Sequence, residues 1–194
     1  MRVKVAVYGG SFDPPHVSHV LAVAYAFAMG GFDRVLVVPV FAHAFGKSLA
    51  PFDDRLAMTR LAMRGLSFAD VSDVERELGT PSYTWKTLQH LHALHPDWEL
   101  RLVVGSDVLL ESSKWERFDD VVRLAPLFVL GRAGIPHPNA PPSALPEVSS
   151  THIRAMLAER SDDDELRRWV PPSVLEYLDA RGLYRAGTGT SPKQ

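Results

Sequence analysis

Apolar residues gather in five short runs, at residues 3–8, 34–40, 70–74, 100–105 and 127–130. Within the runs they are nearly continuous rather than alternating. Strands buried on both faces read this way, whereas a half-solvated sheet shows a period of two. Between the runs, residues 17–29, 52–64, 84–95 and 118–124 carry apolar positions at helical spacing. Alternation of strand and helix predicts an α/β fold, a doubly wound and mostly parallel sheet covered on both faces. Ligands of such sheets sit at the carboxyl ends of the strands. The loops after Tyr8, Val40, Val74, Val104 and Leu130 are therefore the places to look for chemistry.

Residues 135–146 hold five prolines, at 136, 138, 141, 142 and 146, and predict an irregular loop. Helical spacing resumes at 151–159, 164–169 and 172–181, a small C-terminal helical part of about 151–185. One domain is expected over 1–185, followed by a disordered tail at 186–194 rich in Gly, Thr, Ser and Pro. The acidic run Asp162 to Glu165 reads as a solvated helix start. His90, His92 and His95 read as surface residues of one helix.

Composition narrows the class. With 46% hydrophobic and 23% charged residues, the chain has enough apolar material to fold. A net charge of −2 offers no global field for nucleic acid, so a phosphate ligand must be met by a local site. The absence of cysteine removes disulfides, thiolate zinc sites and a thiol nucleophile. The first residues enter a strand directly and resemble no secretory leader. The longest apolar stretch, 20–29, is too short and too rich in alanine to cross a bilayer. A cytoplasmic enzyme without membrane or nucleic-acid partners is the expectation; oligomeric state is not encoded in any pattern.

The strongest local feature is Gly9-Gly10-Ser11-Phe12-Asp13-Pro14-Pro15-His16-Val17-Ser18-His19, between the first strand and the first helix. Two glycines allow close approach of backbone to ligand. Asp13, extended because a proline follows, suits an N-cap, and Pro14 and Pro15 suit the first turn. His16 and His19, three apart, would then share the helix face at the positive end of the dipole. Imidazoles there can donate hydrogen bonds to phosphate oxygens, and that position favours their neutral form. The loop is neither Gly-x-Gly-x-x-Gly nor a P-loop.

A second candidate lies at Ser149-Ser150-Thr151-His152-Ile153-Arg154. The three hydroxyl residues are candidate N-caps. Arg154 falls in the first turn, where a cation opposes the dipole at a cost of about 0.3–1 kcal/mol. A bound anion would reverse that sign, which marks the turn as a phosphate site.

These motifs resemble the nucleotidyltransferases with a His-x-Gly-His signature, and among them the bacterial nicotinate (nicotinamide) mononucleotide adenylyltransferases. The first loop carries that resemblance, with Ser18 where the family has glycine. Residues 149–154 resemble the family's Ser-Ser-Thr-x-Ile-Arg. Pro81-Ser82-Tyr83-Thr84, Thr87-Leu88, Gly105-Ser106-Asp107, Trp115, Gly131-Arg132 and Gly182-Leu183-Tyr184 extend it over nearly the whole chain. The second loop departs: the family's Pro-Pro-His-Lys is replaced by residues 40–47, with His43 and Lys47 four apart.

The resemblance implies a Rossmann-like fold and transfer of AMP from ATP, with Mg²⁺, to a pyridine mononucleotide. It implies catalytic roles for His16, His19, Arg154 and Lys47. It places ATP at Gly9, Gly10, Ser11, Phe12, His16, His19, Gly105, Asp107, Ser150, Thr151 and Arg154. The acceptor falls at Ser11, Phe12, Lys47, Tyr83, Thr84, Asp107, Trp115 and Arg132. Mg²⁺ is expected on the ATP phosphates rather than in a protein cage. Adenine is expected near Gly105 and residues 135–148. Taken alone, Thr84 and Asp107 also read as helix caps. Nicotinate and nicotinamide acceptors stay undecided. The rival readings are a phosphopantetheine adenylyltransferase, which shares both phosphate motifs but not Tyr83-Thr84 or Trp115, and a non-catalytic nucleotide sensor.

Overall fold

The computed structural model describes residues 2–43, 46–132, 135, 138, 140–141, 145–159 and 163–185. Half of the proline-rich loop 135–146, Asp162 and the tail 186–194 lie outside the described residues.

The five strands are β1 (Val3–Gly10), β2 (Arg34–Pro39), β3 (Ala69–Val71), β4 (Trp98–Gly105) and β5 (Leu127–Leu130). They form one sheet in the order β3-β2-β1-β4-β5, with every pairing parallel. The strand order reverses at β1, so the crevice at its carboxyl end, between β1 and β4, is the switch point.

The helices are α1 (Val17–Gly30), α2 (Phe52–Met63), α3 (Glu75–Leu78), α4 (Thr84–Leu94), α5 (Ser106–Leu110), α6 (Phe118–Leu124), α7 (Ser150–Glu159), α8 (Asp163–Trp169) and α9 (Pro172–Arg181). Successive strand residues point to opposite faces, and both faces are dry. Val5, Val7, Leu36, Leu100, Leu102 and Val104 pack with Leu88 and Leu91 of α4 and Val121 of α6. Ala6, Val35, Val37 and Val103 pack instead with Ala22, Val23 and Ala26 of α1. This two-sided burial is why the runs read as continuous. A third cluster joins Met58 of α2 to Ile153, Leu166, Val174 and Leu178, so the C-terminal helices are anchored on α2.

Three local expectations are corrected. The third strand stops at Val71; Ser72 Oγ accepts the Val74 N–H at 3.2 Å, and the chain turns into the short helix α3. Val74 is apolar because it is core, 7% exposed, not because it is strand. The helices α3 and α5 were not anticipated, since four or five residues are too few to show a period. The three histidines of the α4 region are not bare surface residues: His92 Nε2 lies 2.8 Å from the Leu124 carbonyl, His95 stacks on Trp98, and His90 is half-buried.

Candidate active site

The carboxyl ends of β1, β4 and β5 and the start of α7 enclose one cleft of about 1340 Å³. Gly9, Gly10, Ser11, Phe12, His16, His19, Lys47, Tyr83, Thr84, Gly105, Asp107, Trp115, Arg132, Ser150 and Thr151 all line it. Arg154 is the one expected site residue that does not.

The first loop is built differently from the sequence expectation. α1 begins at Val17, and the N-cap position is His16, not Asp13. Pro14 and Pro15 are buried ahead of the helix instead of forming its first turn. Only His19 is helical, yet the two imidazoles lie against each other with ring centroids 3.8 Å apart. Phe12 takes a positive φ of 48° while 1% exposed. A Cβ at position 10 would come 3.0 Å from its ring, so Gly10 makes room for Phe12 rather than merely for ligand.

The histidine protonation follows from the backbone. The His16 main-chain N–H donates to His19 Nδ1 at 3.1 Å. An amide can only donate, so Nδ1 is bare and the neutral ring carries its proton on Nε2. Burial, the adjacent His16 and the nearby Arg132 hold His19 well below the ordinary histidine value of 6.5. Burial and Arg132 push His16 down to about 4. Its Nδ1 is buried without a hydrogen-bond partner, a cost that a ligand oxygen or water would remove. Tyr8, edge-on to Phe12, is pushed up to about 12 by burial, so its hydroxyl stays protonated.

Asp13 has another job. Its carboxylate, 2% exposed, accepts hydrogen bonds from the Ala50 N–H at 3.1 Å and the Tyr184 hydroxyl at 2.6 Å. Arg154 Nη1 lies 3.5 Å from it and donates to the Asp13 carbonyl at 2.6 Å, while Nη2 reaches Thr151 Oγ1 at 3.2 Å. Arg154 is the fifth residue of α7, just past the first turn expected from the sequence, and it is already opposed by a buried anion, so its presence there does not by itself demand a phosphate. Ser149 is the α7 cap, its Oγ accepting the His152 N–H at 3.2 Å. Ser150 points its hydroxyl to the Pro14 carbonyl at 2.9 Å.

Arg55 is the fourth residue of α2. It is 1% exposed, and its guanidinium donates to the carbonyls of Ala50, Ser11, Val40 and Phe41. It therefore grips both ends of the second loop and one residue of the first. Glu75 completes the anchoring: it accepts from the Phe41 N–H at 2.9 Å and from Thr87 Oγ1 at 3.0 Å. No short-range pattern in the sequence marks either residue, because their partners lie on other segments.

Across the cleft, Thr84 is the first residue of α4 and the cap position is Tyr83, which provides no side-chain cap. The Tyr83 hydroxyl is raised by its hydrogen bond to Glu116. Asp107 lies in the first turn of α5 behind the cap Gly105, and pairs with Arg132 at 2.8 Å. A Cβ on residue 105 would fall 2.2 Å from the Asp107 carboxylate, which is why glycine stands there. Trp115 is half-buried, with its edge against Phe118. His43 is bridged to Ser82, and burial, then Lys47 and Arg55, lower its pKa. Lys47 is exposed.

Among known proteins, the family described as cytidylyltransferase-like matches residues 7–156. A relative from Anaeromyxobacter dehalogenans, named "Probable nicotinate-nucleotide adenylyltransferase", is 48% identical over 186 residues, 94% of this chain and 97% of the relative. The chain belongs to the nicotinate-nucleotide adenylyltransferase family. Its relative from Myxococcus xanthus, of the same name, is 39% identical over 94% of this chain and 95% of its own. In fold, the chain is similar to the Plasmodium falciparum nicotinic acid mononucleotide adenylyltransferase complexed with NaAD. The TM-score is 0.79 at 20% identity, covering 94% of this chain and 97% of that one. The two departures from the nicotinate-nucleotide adenylyltransferase pattern, Ser18 and the second loop, both line the cleft, the loop through His43 and Lys47.

No helix among the described residues is long and apolar enough to cross a membrane. No three His, Asp or Glu side chains among the described residues converge as a metal cage.

Proposed function

We propose that this chain transfers the adenylyl group of ATP to nicotinate mononucleotide, releasing pyrophosphate and forming deamido-NAD. The observation that carries the reading is one cleft joining two helix starts with hydroxyl and imidazole donors, α1 and α7, to a wall bearing Trp115 and Tyr83. An acceptor phosphate oxygen attacks the α-phosphorus, the new P–O bond forms, and the bond to the β-phosphate bridge breaks. The attacking oxygen is already anionic, so no general base is required. Catalysis is positioning and charge stabilisation.

His19 donates from Nε2 to the oxygens of the α-phosphate, and His16 serves beside it. Ser150 through its main-chain N–H, its hydroxyl being given to the Pro14 carbonyl, and Thr151 receive the β- and γ-phosphates at the start of α7. Arg154 acts at the leaving pyrophosphate, and its approach requires exchange of the Asp13 carbonyl for a phosphate oxygen. Lys47 meets the acceptor phosphate. Adenine rests by Gly105 and Ile135. Bound Mg²⁺ would offset phosphate charge, held by the phosphates themselves. With two charged nucleotides as substrates, we place the protein in the cytoplasm.

Nicotinate is preferred to nicotinamide because α4 begins uncapped at the cleft. A ring carboxylate at that helix end complements both the free N–H groups and the dipole, and a neutral amide does so less well. Trp115 supplies an indole face for the electron-poor ring. A pyrophosphate-release assay with ATP, Mg²⁺ and three acceptors tests this. Nicotinate mononucleotide should react fastest, nicotinamide mononucleotide more slowly and phosphopantetheine not at all. Equal or faster reaction with phosphopantetheine would overturn the reading.

A further inference from the structure

Two hydrogen bonds cross between the phosphate loops. Ser18 Oγ, in the first turn of α1, donates to the Pro146 carbonyl at 2.8 Å. Ser150 Oγ, the first residue of α7, donates to the Pro14 carbonyl at 2.9 Å. Each loop thus offers a serine hydroxyl to a proline carbonyl of the other, across 128 and 136 residues of chain. Pro146 lies two residues before Val148, which is buried in the cluster that seats α7, and its carbonyl also accepts the Val148 N–H at 3.1 Å. A shift at Pro146 is therefore a shift of the α7 start.

We infer that Ser18 is a positioning residue for ATP: its hydroxyl sets the spacing between the α1 and α7 starts. The inference rests on the reading of those two starts as the phosphate site. The residue stands between His16 and His19, where glycine in the family pattern has no side chain to make such a bond. With glycine, the polar ties between the α1 and α7 starts would be the Ser150 and Arg154 contacts, beside the apolar packing of Val17 and Val20 on the α7 cluster. With serine, a further bond on the opposite side of the junction restrains the spacing more tightly, so less ordering remains for ATP to bring about. Ser18 itself touches no reacting atom in this account; it acts through the segment leading to Ser150 and Thr151.

Three variants separate a tether from mere occupancy of space. Ser18→Ala and Ser18→Gly remove the hydroxyl, and Ser18→Thr keeps it. Steady-state kinetics should show KM for ATP rising about fivefold in Ala and Gly, the worth of one net hydrogen bond, and returning toward wild type in Thr. The kcat and the KM for nicotinate mononucleotide should stay within about twofold, and the melting temperature within roughly 4 °C. Calorimetric binding of α,β-methylene-ATP, which cannot transfer its adenylyl group, should weaken by the same factor. Unchanged analogue affinity in Ser18→Ala overturns the inference, as does a parallel rise of both KM values with a falling melting point. A wild-type protein that binds the analogue but releases no pyrophosphate refutes the proposed reaction and leaves the tether to be judged by the binding series.

Discussion

The two walls of the cleft are made in different ways. The phosphate wall is stitched from within: Asp13, Ser18, Ser150, Arg154 and Tyr184 are joined by side-chain bonds that span more than a hundred residues. Its histidines, His16 buried and His19 half-buried, are held neutral. On the acceptor wall the groups expected to touch ligand, Lys47, Tyr83, Trp115 and Arg132, are exposed or half-buried. Its rigidity lies one layer back, in Arg55 and Glu75, which pin the second loop by its main chain. The difference teaches that, in the proposed reaction, charge developing at the α-phosphorus would meet a preorganised surface. Acceptor choice is left to side chains that can change with little cost to folding.

If that division is right, the largest effect belongs to His19. Replacing it with alanine should lower kcat by about 10²–10³, the usual cost of one transition-state donor, with far-UV circular dichroism unchanged. A variant keeping more than a tenth of the rate would place the donor elsewhere. Next comes Arg55→Met, which strands several buried carbonyls and should cost at least about 3 kcal/mol. For a chain of this size that is a melting point lower by roughly 6–12 °C, with a higher acceptor KM as the loop loosens. Trp115→Ala should raise the KM for nicotinate mononucleotide about tenfold, as expected of one lost ring–indole contact, and leave ATP binding alone. An equal rise for ATP would erase the distinction between the walls.

Near neutral pH the smallest effect is one of protonation. His16 titrates near 4 in the fold against 6.5 ordinarily, so below 6.5 the unfolded chain binds the proton first. Stability should therefore be full above pH 6.5 and decline as the pH falls toward 4, with His19 adding in the same direction. Imidazole resonances of the ligand-free protein followed by NMR should show His16 still neutral at pH 5.5. A midpoint near 6.5 would contradict the buried, neutral pair.

Much of this was legible in the chain. Strand runs buried on both faces announce a parallel sheet, and four of the five strands begin and end within two residues of their expected positions. Phosphate loops are legible because they need particular residue types at short spacing. Short helices were not, because α3 and α5 are set by a turn at Ser72 and by the close packing of Gly105, Asp107 and Arg132. The capping assignments of Asp13 and Thr84 failed for a related reason. A carboxylate or hydroxyl beside a helix start is available to any donor that folding brings near, and for Asp13 those donors lie at Ala50, Arg154 and Tyr184.

By itself, then, the sequence determined the alternation of strand and helix, the two-sided covering of the sheet and the strand-end loops that carry the candidate phosphate residues. These follow from periodicity and from local stereochemistry, which operate over a few residues. The tertiary structure alone decided that Arg154 faces Asp13, that Arg55 clasps the second loop and that Ser18 reaches Pro146. Such bonds depend on distances between segments far apart in the chain, and no short-range pattern encodes them.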